Sequence, residues 1–237
     1  MDEYIISYIT INKNECFGLK KTLKSLSVLA DSSDIELIGV DGGSSDGSET
    51  TMAEFYGNRL LKDDGRGIYE AMNLGGAFAS GRYLVWINAG DEFCSEALEQ
   101  IRSSLESSPT VLATGIELVD PRSGSTTEWL PTKKSLPSST IPHAGAYVKR
   151  EFFEGLGGYS HQYRIAADRE FFVRAYEQGA EIKYENYITA RQYLGGVSCT
   201  HESHIESLRI SRQYGQISNL RYLARLTEAK IRSVLGR

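Results

Sequence analysis

Strand-like and helix-like segments alternate over roughly the first hundred residues, and this alternation constrains the fold more than any other feature of the sequence. Three short runs rich in β-branched and aromatic residues, at 4–11, 35–41 and 82–88, have the composition of buried strands. Between them, 17–29 and 67–81 place apolar or small residues at helical spacing. Because parallel strands joined by helices give this pattern, the sequence predicts an α/β fold with a mostly parallel central sheet.

Further elements are predicted along the rest of the chain. A helix is expected through about Tyr56, a short strand near 59–62 and another helix over 95–107. Residues 120–142 contain four of the five prolines together with many Ser and Thr, which predicts loops and short strands. Helical spacing returns at 166–179.

The chain is predicted to form one domain with a C-terminal extension. Residues 1–200 make up the domain, with 120–200 packed as an elaboration on 1–119. Residues 201–237 carry seven Lys and Arg against three acids, although the whole chain has a net charge of −5. Because the protein as a whole is acidic, its charge does not indicate nucleic-acid binding.

Polar residues end three of the predicted strands, at 10–12, 41–43 and 88–91. Ligands of parallel α/β sheets bind at the carboxyl ends of the strands, so these three ends predict a site at one edge. In the last of them, Asp91 could hold Mg²⁺ or Mn²⁺ together with water and phosphate oxygens. By residue type alone, a cap for the helix that follows is the alternative and is slightly favoured.

Other acids and histidines are candidates for the same site. Asp41 could accept hydrogen bonds from a base or ribose, or it could cap the next helix. Asp168, near the start of a predicted helix, could act as a general base or as a helix cap. His143, His201 and His204 could reach a phosphate or a metal, although lone histidines usually pack or lie in solvent.

The three cysteines, Cys16, Cys94 and Cys199, are odd in number and form no Cys-x-x-Cys pair. They indicate a reducing compartment and argue against a structural zinc site. The first residues lack the pattern of a signal peptide, and no apolar run approaches the ~20 residues that span a bilayer. These features predict a cytoplasmic protein.

Six motifs occur together in this sequence: "ISYITINKNE", "VDGGSSDGS", "GRGIYEAMNLGGAFASGRYLVWINAGD", "HAGAYV", "YRIAADREFFVR" and "GGVS". In order and spacing they resemble the family-two nucleotide-sugar glycosyltransferases of GT-A fold, over roughly residues 4–200. They are especially similar to the bacterial enzymes that build capsule, exopolysaccharide and O-antigen repeat units. The resemblance implies a single Rossmann-like GT-A domain.

The resemblance also implies roles for individual residues. Asp168 would be the catalytic base. Asp91 would bind Mn²⁺ or Mg²⁺ as the only carboxylate of a segment where relatives commonly carry several. The nucleotide-sugar donor would contact Thr10, Asn12, Glu15, Asp41, Asp63, Arg66, Tyr69, Asn73, Asn88 and Ala89. His143 and His201 are candidates for contact with the acceptor or the diphosphate.

The implied reaction is inverting transfer of a hexose from a nucleotide sugar to a hydroxyl of a glycan acceptor. Such acceptors are often lipid-linked and lie at the inner face of the plasma membrane. The basic segment 217–237 fits an amphipathic helix on that surface, or one packed on the domain or on a homodimer partner. Two alternative functions are a nucleotidyltransferase and a non-catalytic nucleotide-sugar-binding module on a degenerate GT-A fold.

Overall fold

A computed structural model describes residues 4–133, 140–195 and 200–234, with side chains as far as Ala229. Cys199 and the side chains of Lys230, Arg232 and Arg237, on which part of the sequence analysis rests, lie outside the described residues. The strands are β1 (Ile6–Asn12), β2 (Ile35–Asp41), β3 (Leu60–Lys62), β4 (Tyr83–Trp86), β5 (Glu92–Phe93), β6 (Val111–Val119), β7 (Thr126–Trp129), β8 (Ala146–Lys149) and β9 (Ile182–Tyr193). The α-helices are α1 (Cys16–Leu26), α2 (Ser48–Tyr56), α3 (Ile68–Phe78), α4 (Leu98–Leu105), α5 (Arg150–Gly155), α6 (Ala167–Glu177), α7 (His201–Gln213) and α8 (Asn219–Val234).

The first four strands form the parallel part of the sheet, in the order β3-β2-β1-β4. Their register places Asn12 opposite Asp41, and Ile9 opposite Trp86. Because the strands are parallel, their carboxyl ends meet at one edge. This part of the structure confirms the predicted α/β fold.

The sheet continues from β4 through β8, β6, β9 and β5, with β7 paired to β6. β8 runs antiparallel to β4 and β6, whereas β9 runs parallel to β6. Neither β6 nor β9 was predicted from the sequence. Most of β9 is only half-buried and mixes polar with apolar residues, so it lacks the continuous apolar run that identified β4.

Several helices are shorter than predicted. α3 ends at Phe78 because Ala79 is already extended, at ψ 144°. The segment predicted as one helix over 95–107 begins as a 3₁₀ turn at Ser95–Ala97 and becomes α-helical from Leu98. α1 ends at Leu26 and is likewise followed by a 3₁₀ turn.

An aromatic cluster packs one face of the sheet against α5 and α6. Trp86 on β4 lies with its ring centroid 5.0 Å from that of Phe153 and 5.1 Å from that of Tyr159. Tyr159 in turn packs edge-on against Phe171 of α6. These side chains are nearly or fully buried, so the helix that carries Asp168 is fixed to the sheet by large apolar contacts.

The C-terminal helices α7 and α8 pack against each other, and the guanidinium of Arg212 lies 4.9 Å from the ring centroid of Tyr222. On the other face of α8, Leu220 is 80% exposed and Leu223 is 58% exposed. Among the described residues, no helix has both the length and the apolar character needed to cross a membrane.

Glu36 is a buried carboxylate that ties the start of β2 to its neighbours. It accepts hydrogen bonds from Ser7 Oγ at 2.5 Å and from the backbone N–H and hydroxyl of Ser80, each at 2.8 Å, and it pairs with Arg59. Burial alone would raise the pKa of Glu36, but the bonds from Ser7 and Ser80 and the charge of Arg59 together lower it.

Replacing Glu36 with Gln is therefore expected to lower the free energy of unfolding at pH 7 by about 1–3 kcal/mol, because the amide leaves buried donors unpaired. A lowered folded-state pKa stabilises the protein above the ordinary pKa of Glu, and this contribution disappears as the pH falls through the folded value. Urea denaturation should thus show that the free energies of unfolding of Glu36→Gln and the unmodified protein approach each other at acidic pH. Glu49→Gln, at an exposed ion pair with Lys62, is the control and should change little.

Candidate active site

The carboxyl ends of β1 and β2 are joined through Asp41. Its Oδ1 accepts from Ser44 Oγ at 2.6 Å and Asn12 Nδ2 at 3.3 Å, and its Oδ2 accepts from the N–H groups of Gly43 and Ser44 at 3.0 and 2.8 Å. Asp41 is fully buried. Its carboxylate is thus committed to the turn after β2, so any contact with a ligand would have to displace one of these bonds.

The loop Asn88–Asp91 follows β4 and is held by Thr22 of α1. Thr22 Oγ1 lies 2.6 Å from the carbonyl oxygen of Asp91, to which it donates, and accepts from the N–H of Gly90 at 3.0 Å. A Cβ on Gly18 would lie only 2.8 Å from Gly90 Cα, so a glycine is required where the helix meets the loop. The helix thereby fixes the position of the Asp91 backbone.

Replacing Thr22 with Val keeps the shape of the side chain but removes both hydrogen bonds to the loop. We expect the activity of this site to fall by about tenfold or more, since small displacements of a site are costly. Enzyme assays on folded protein measure this effect. Thr51→Val is the matched control, because it removes a Thr hydroxyl of α2 that makes only an exposed hydrogen bond, to the carbonyl oxygen of Gly47. Equal activity in both variants would show that the Thr22 bonds do not position the loop.

His143 lies between Asp91 and Asp168, the two acids that the sequence analysis placed in different elements. Its Nε2 is 3.7 Å from Asp91 Oδ2 and 3.0 Å from Asn88 Nδ2, and its Nδ1 is 3.8 Å from Asp168 Oδ2. The residue opens a 3₁₀ turn that packs closely on β6, where a Cβ on Gly145 would come within 2.7 Å of the Thr114 carbonyl oxygen.

The charges around His143 determine its protonation. Burial lowers the pKa of His143, but the nearby carboxylates of Asp168 and Asp91 raise it to about 9. With no cation bound, the ring is therefore mostly protonated at neutral pH.

Asp168 is the second residue of α6. Its Oδ1 accepts from the N–H of Arg169 at 2.7 Å and lies 3.0 Å from the hydroxyl of Tyr69. The same hydroxyl lies 2.7 Å from the carbonyl oxygen of Ile165, to which it can donate. The Asp168 side chain is 18% exposed, so it remains accessible to solvent or a substrate.

A cavity of about 800 Å³ opens beside this edge of the sheet. Of the residues predicted to contact the donor, it is lined by Asn12, Glu15, Asp63, Arg66, Asn88 and Ala89. Asp63 accepts from the N–H of Gly65 at 2.8 Å through Oδ2 only, which leaves its other oxygen available. The cavity thus borders the loop that carries Asp91 and, through Ile165, the turn that leads to Asp168.

The other predicted residues lie outside the lining of the cavity. Thr10 is fully buried, and His201 begins α7. Asn73 is occupied by structure: its amide donates to the carbonyl oxygen of Tyr159 at 2.9 Å and its oxygen accepts from the Tyr159 N–H at 2.8 Å. These two hydrogen bonds to the backbone of Tyr159 indicate that Asn73 stabilises the turn at Gly158.

Sequence reasoning did not select several residues of the cavity wall. These are Lys13, Glu70, His161, Arg164, Glu202 and Glu206. Lys13, next to Asn12 in the first motif, could have been selected by its position. The acids on α7 carried no such signal, because the pattern of an amphipathic helix does not say which element its polar face meets.

The oxygen donors around Asp91 suit a hard divalent cation only in part. Asp91 supplies one carboxylate, and Asn88 Oδ1 is a buried oxygen with no hydrogen-bond partner among the described residues. Within the described ranges no group of three His, Cys, Asp or Glu side chains is arranged to hold a metal. A cation bound here would thus need further oxygen ligands from water or a bound phosphate, which Mg²⁺ commonly uses.

Polar strand ends with a cavity beside them place the candidate site of this α/β domain at the carboxyl edge of the parallel strands. The sequence matches the family described as "Glycosyl transferase family 2" over residues 7–166, more than half of the chain. The protein belongs to this family and is a glycosyltransferase of GT-A type. The resemblance drawn from the six motifs is confirmed.

Mycobacterial glycosyltransferases are similar to this chain in sequence. A PGL/p-HBAD biosynthesis glycosyltransferase of Mycobacterium tuberculosis (strain ATCC 25177 / H37Ra) is 28% identical over 176 residues, which cover 70% of this chain and 69% of the relative. Another glycosyltransferase of M. tuberculosis (strain CDC 1551 / Oshkosh) is 29% identical over 196 residues, which cover 72% and 68%.

Two solved structures are similar in fold. S. aureus TarS 1-349 in complex with UDP-GlcNAc has a TM-score of 0.69 at 14% identity, covering 91% of this chain and 67% of that chain. The mannosyltransferase PcManGT from Pyrobaculum calidifontis, in complex with GDP-Man and Mn²⁺, has a TM-score of 0.65 at 17% identity, covering 88% and 62%. This chain thus spans less than two thirds of PcManGT, and at these identities the likeness is one of fold.

Proposed function

We propose that this protein transfers a hexose from a nucleoside diphosphate sugar to a hydroxyl of a glycan acceptor, with inversion at the anomeric carbon. The observation that carries the proposal is the position of His143, within 3.7 Å of Asp91 and 3.8 Å of Asp168. A carboxylate suited to holding a cation for the diphosphate and a carboxylate suited to removing a proton thus lie on opposite sides of one imidazole, next to the cavity.

In the proposed reaction, Asp168 takes the proton of the acceptor hydroxyl as the acceptor oxygen attacks the anomeric carbon. A new bond forms from that oxygen to the carbon, while the bond from the carbon to the phosphate oxygen breaks. The nucleoside diphosphate leaves with the electron pair on the face opposite the attack, which inverts the configuration. Holding donor and acceptor in line supplies much of the acceleration.

The cavity wall offers groups for each part of the donor. The free oxygen of Asp63 can accept an N–H from a base, and Asn12 Oδ1 is a buried oxygen without a partner. Lys13, Arg66 and Arg164 provide positive charge along the same wall. Donor binding is further supported by UDP-GlcNAc in TarS and GDP-Man in PcManGT.

We further propose that Mn²⁺ or Mg²⁺ takes part, held by Asp91 with Asn88 Oδ1 and completed by diphosphate oxygens and water. A divalent cation supplies charge that stabilises the leaving diphosphate. Mn²⁺ in the PcManGT complex supports this proposal.

Incubation with UDP-, GDP- and dTDP-sugars, in the presence of simple alkyl glycosides as acceptors, tests the proposal. We expect release of nucleoside diphosphate with one of these donors. Release of pyrophosphate from a nucleoside triphosphate would instead identify a nucleotidyltransferase. Binding of a nucleotide sugar without turnover would identify a non-catalytic nucleotide-sugar-binding module.

The acceptor is proposed to be a lipid-linked glycan of bacterial surface polysaccharide synthesis, at the cytoplasmic face of the membrane. Exposed Leu220 and Leu223 on α8, beside exposed Arg221 and Arg225, support contact with an anionic bilayer.

Because both leucines are exposed, replacing them with Ser should leave the fold intact and weaken sedimentation with phosphatidylglycerol vesicles. Unchanged sedimentation would exclude this contact, and a change in oligomeric state would indicate a homodimer interface instead.

A further inference from the structure

Glu206 of α7 is bound to the turn that leads into α6. Its two carboxylate oxygens accept three consecutive backbone N–H groups: those of Arg164 at 3.0 Å, Ile165 at 2.9 Å and Ala166 at 2.9 Å. The residue is 9% exposed. A buried carboxylate with three charge-assisted bonds to adjacent amides holds the backbone of that turn in one geometry.

The start of α6 needs such a partner from elsewhere. Its N-cap residue is Ala166, which has no side chain that could accept a hydrogen bond. The N–H groups at the start of a helix have no acceptor within the helix, and a negative charge there is favourable. Glu206, forty positions further along the chain, accepts the N–H of this N-cap residue and places a negative charge beside the start of the helix.

Residues of α7 form hydrogen bonds with residues before and after Asp168 in the chain. Glu206 holds Ala166 before it, and Arg169 after it donates to Ser211 Oγ at 2.9 Å and to the carbonyl oxygen of Ser207. On the opposite side of the turn, Tyr69 contacts both the Ile165 carbonyl and Asp168 itself. The backbone that carries Asp168 is thus fixed from α7 as well as from α3.

We propose that Glu206 is a positioning residue for sugar transfer: it fixes the turn 164–166 so that the Asp168 carboxylate faces the acceptor hydroxyl. The inference rests on the proposed role of Asp168 as the base. It gives α7, which lies beyond the matched residues 7–166, a part in the active site. The C-terminal extension then serves the reaction itself in addition to any contact with the membrane.

Glu206→Gln tests this role, because an amide keeps the size of the side chain but cannot accept all three N–H groups. We expect kcat to fall by about 10–100-fold while donor KM and the dissociation constant of the nucleoside diphosphate stay within about twofold. Glu202→Gln is the matched reference, since Glu202 lies one turn earlier on the same helix and lines the same cavity. A fall in kcat that the two variants share measures the loss of one negative charge. Any further fall in kcat in Glu206→Gln measures the loss of positioning.

A double-mutant cycle separates positioning from general destabilisation. In an Asp168→Asn background there is no base left to position, so adding Glu206→Gln should lower kcat by less than about twofold further. The inference would be overturned if the fold-loss in kcat of the double variant equalled the product of the losses of the two single variants. It would also be overturned if Glu206→Gln were no slower than Glu202→Gln. If Glu206→Gln does not fold, as judged by its melting curve, Glu206→Asp keeps the charge and should still show a reduced kcat.

The same cycle distinguishes this inference from the proposal on which it rests. Normal turnover by Asp168→Asn would overturn the assignment of the base, and positioning by Glu206 with it. A large loss in Asp168→Asn beside normal turnover in Glu206→Gln would overturn positioning alone. Donor hydrolysis or transfer with the fastest nucleotide sugar of the donor panel provides the rate in each case.

Discussion

Asp168→Asn is expected to lower transfer by about 10²–10⁴-fold, the range that a well-placed general base contributes. The amide keeps the shape of the carboxylate but cannot take the proton of an acceptor hydroxyl. Its oxygen can still accept from the Arg169 N–H, so the start of α6 should be preserved. Donor binding should therefore be retained, and calorimetry with the nucleoside diphosphate measures it.

Asp31→Asn is a suitable control for this variant, because Asp31 is an exposed acid away from the cavity. It should retain the activity of the unmodified protein. A normal turnover number for Asp168→Asn would refute the assignment of the base. A variant that loses donor binding together with activity would indicate that the carboxylate holds the donor instead.

Asp91→Asn is expected to lower turnover by about 10²–10³-fold, the cost of losing one group that stabilises developing negative charge. Asp91 is the only carboxylate in Asn88–Asp91, so the variant leaves no anionic ligand in the loop. The bond from Thr22 goes to the backbone of Asp91 and should keep the loop in place. A titration with Mn²⁺ and Mg²⁺ should show activation of the unmodified protein and a much weaker response in the variant.

Asn88→Asp is the matched opposite change, since it adds a second carboxylate at the position of an unpaired amide oxygen. It should lower the cation concentration that gives half-maximal activity. Full activity of the unmodified protein in excess EDTA would contradict the proposed cation. Equal activity of Asp91→Asn and the unmodified protein would remove Asp91 from the site.

The sequence predicted the half of the sheet whose strands are both buried and continuous. β1, β2 and β4 are buried along nearly their whole length, and polar residues end β1 and β2 and follow β4 at Asn88, so composition alone indicated strands and their shared edge. β9 could not be recognised in this way, because most of its residues are only partly buried and polar and apolar residues are mixed along it. Its pairing with β6 depends on contacts about seventy residues apart in sequence.

The candidate site was predictable where a residue acts next to its own strand or helix end. Asn88 and Asp91 follow β4 directly, and Asp168 lies at the start of α6. The position of His143 between the two acids was not predictable, because it depends on how the turn before β8 packs against β6. Glu206 was missed for the same reason: its three partners are 40–42 residues earlier in the chain.

The most direct test of the account is the anomeric configuration of the product, followed by NMR from the first turnovers with the preferred nucleotide sugar. We predict one nucleoside diphosphate released per sugar transferred, and a glycoside whose anomeric configuration is opposite to that of the donor. A product with retained configuration, or pyrophosphate in place of the diphosphate, would contradict direct displacement assisted by Asp168.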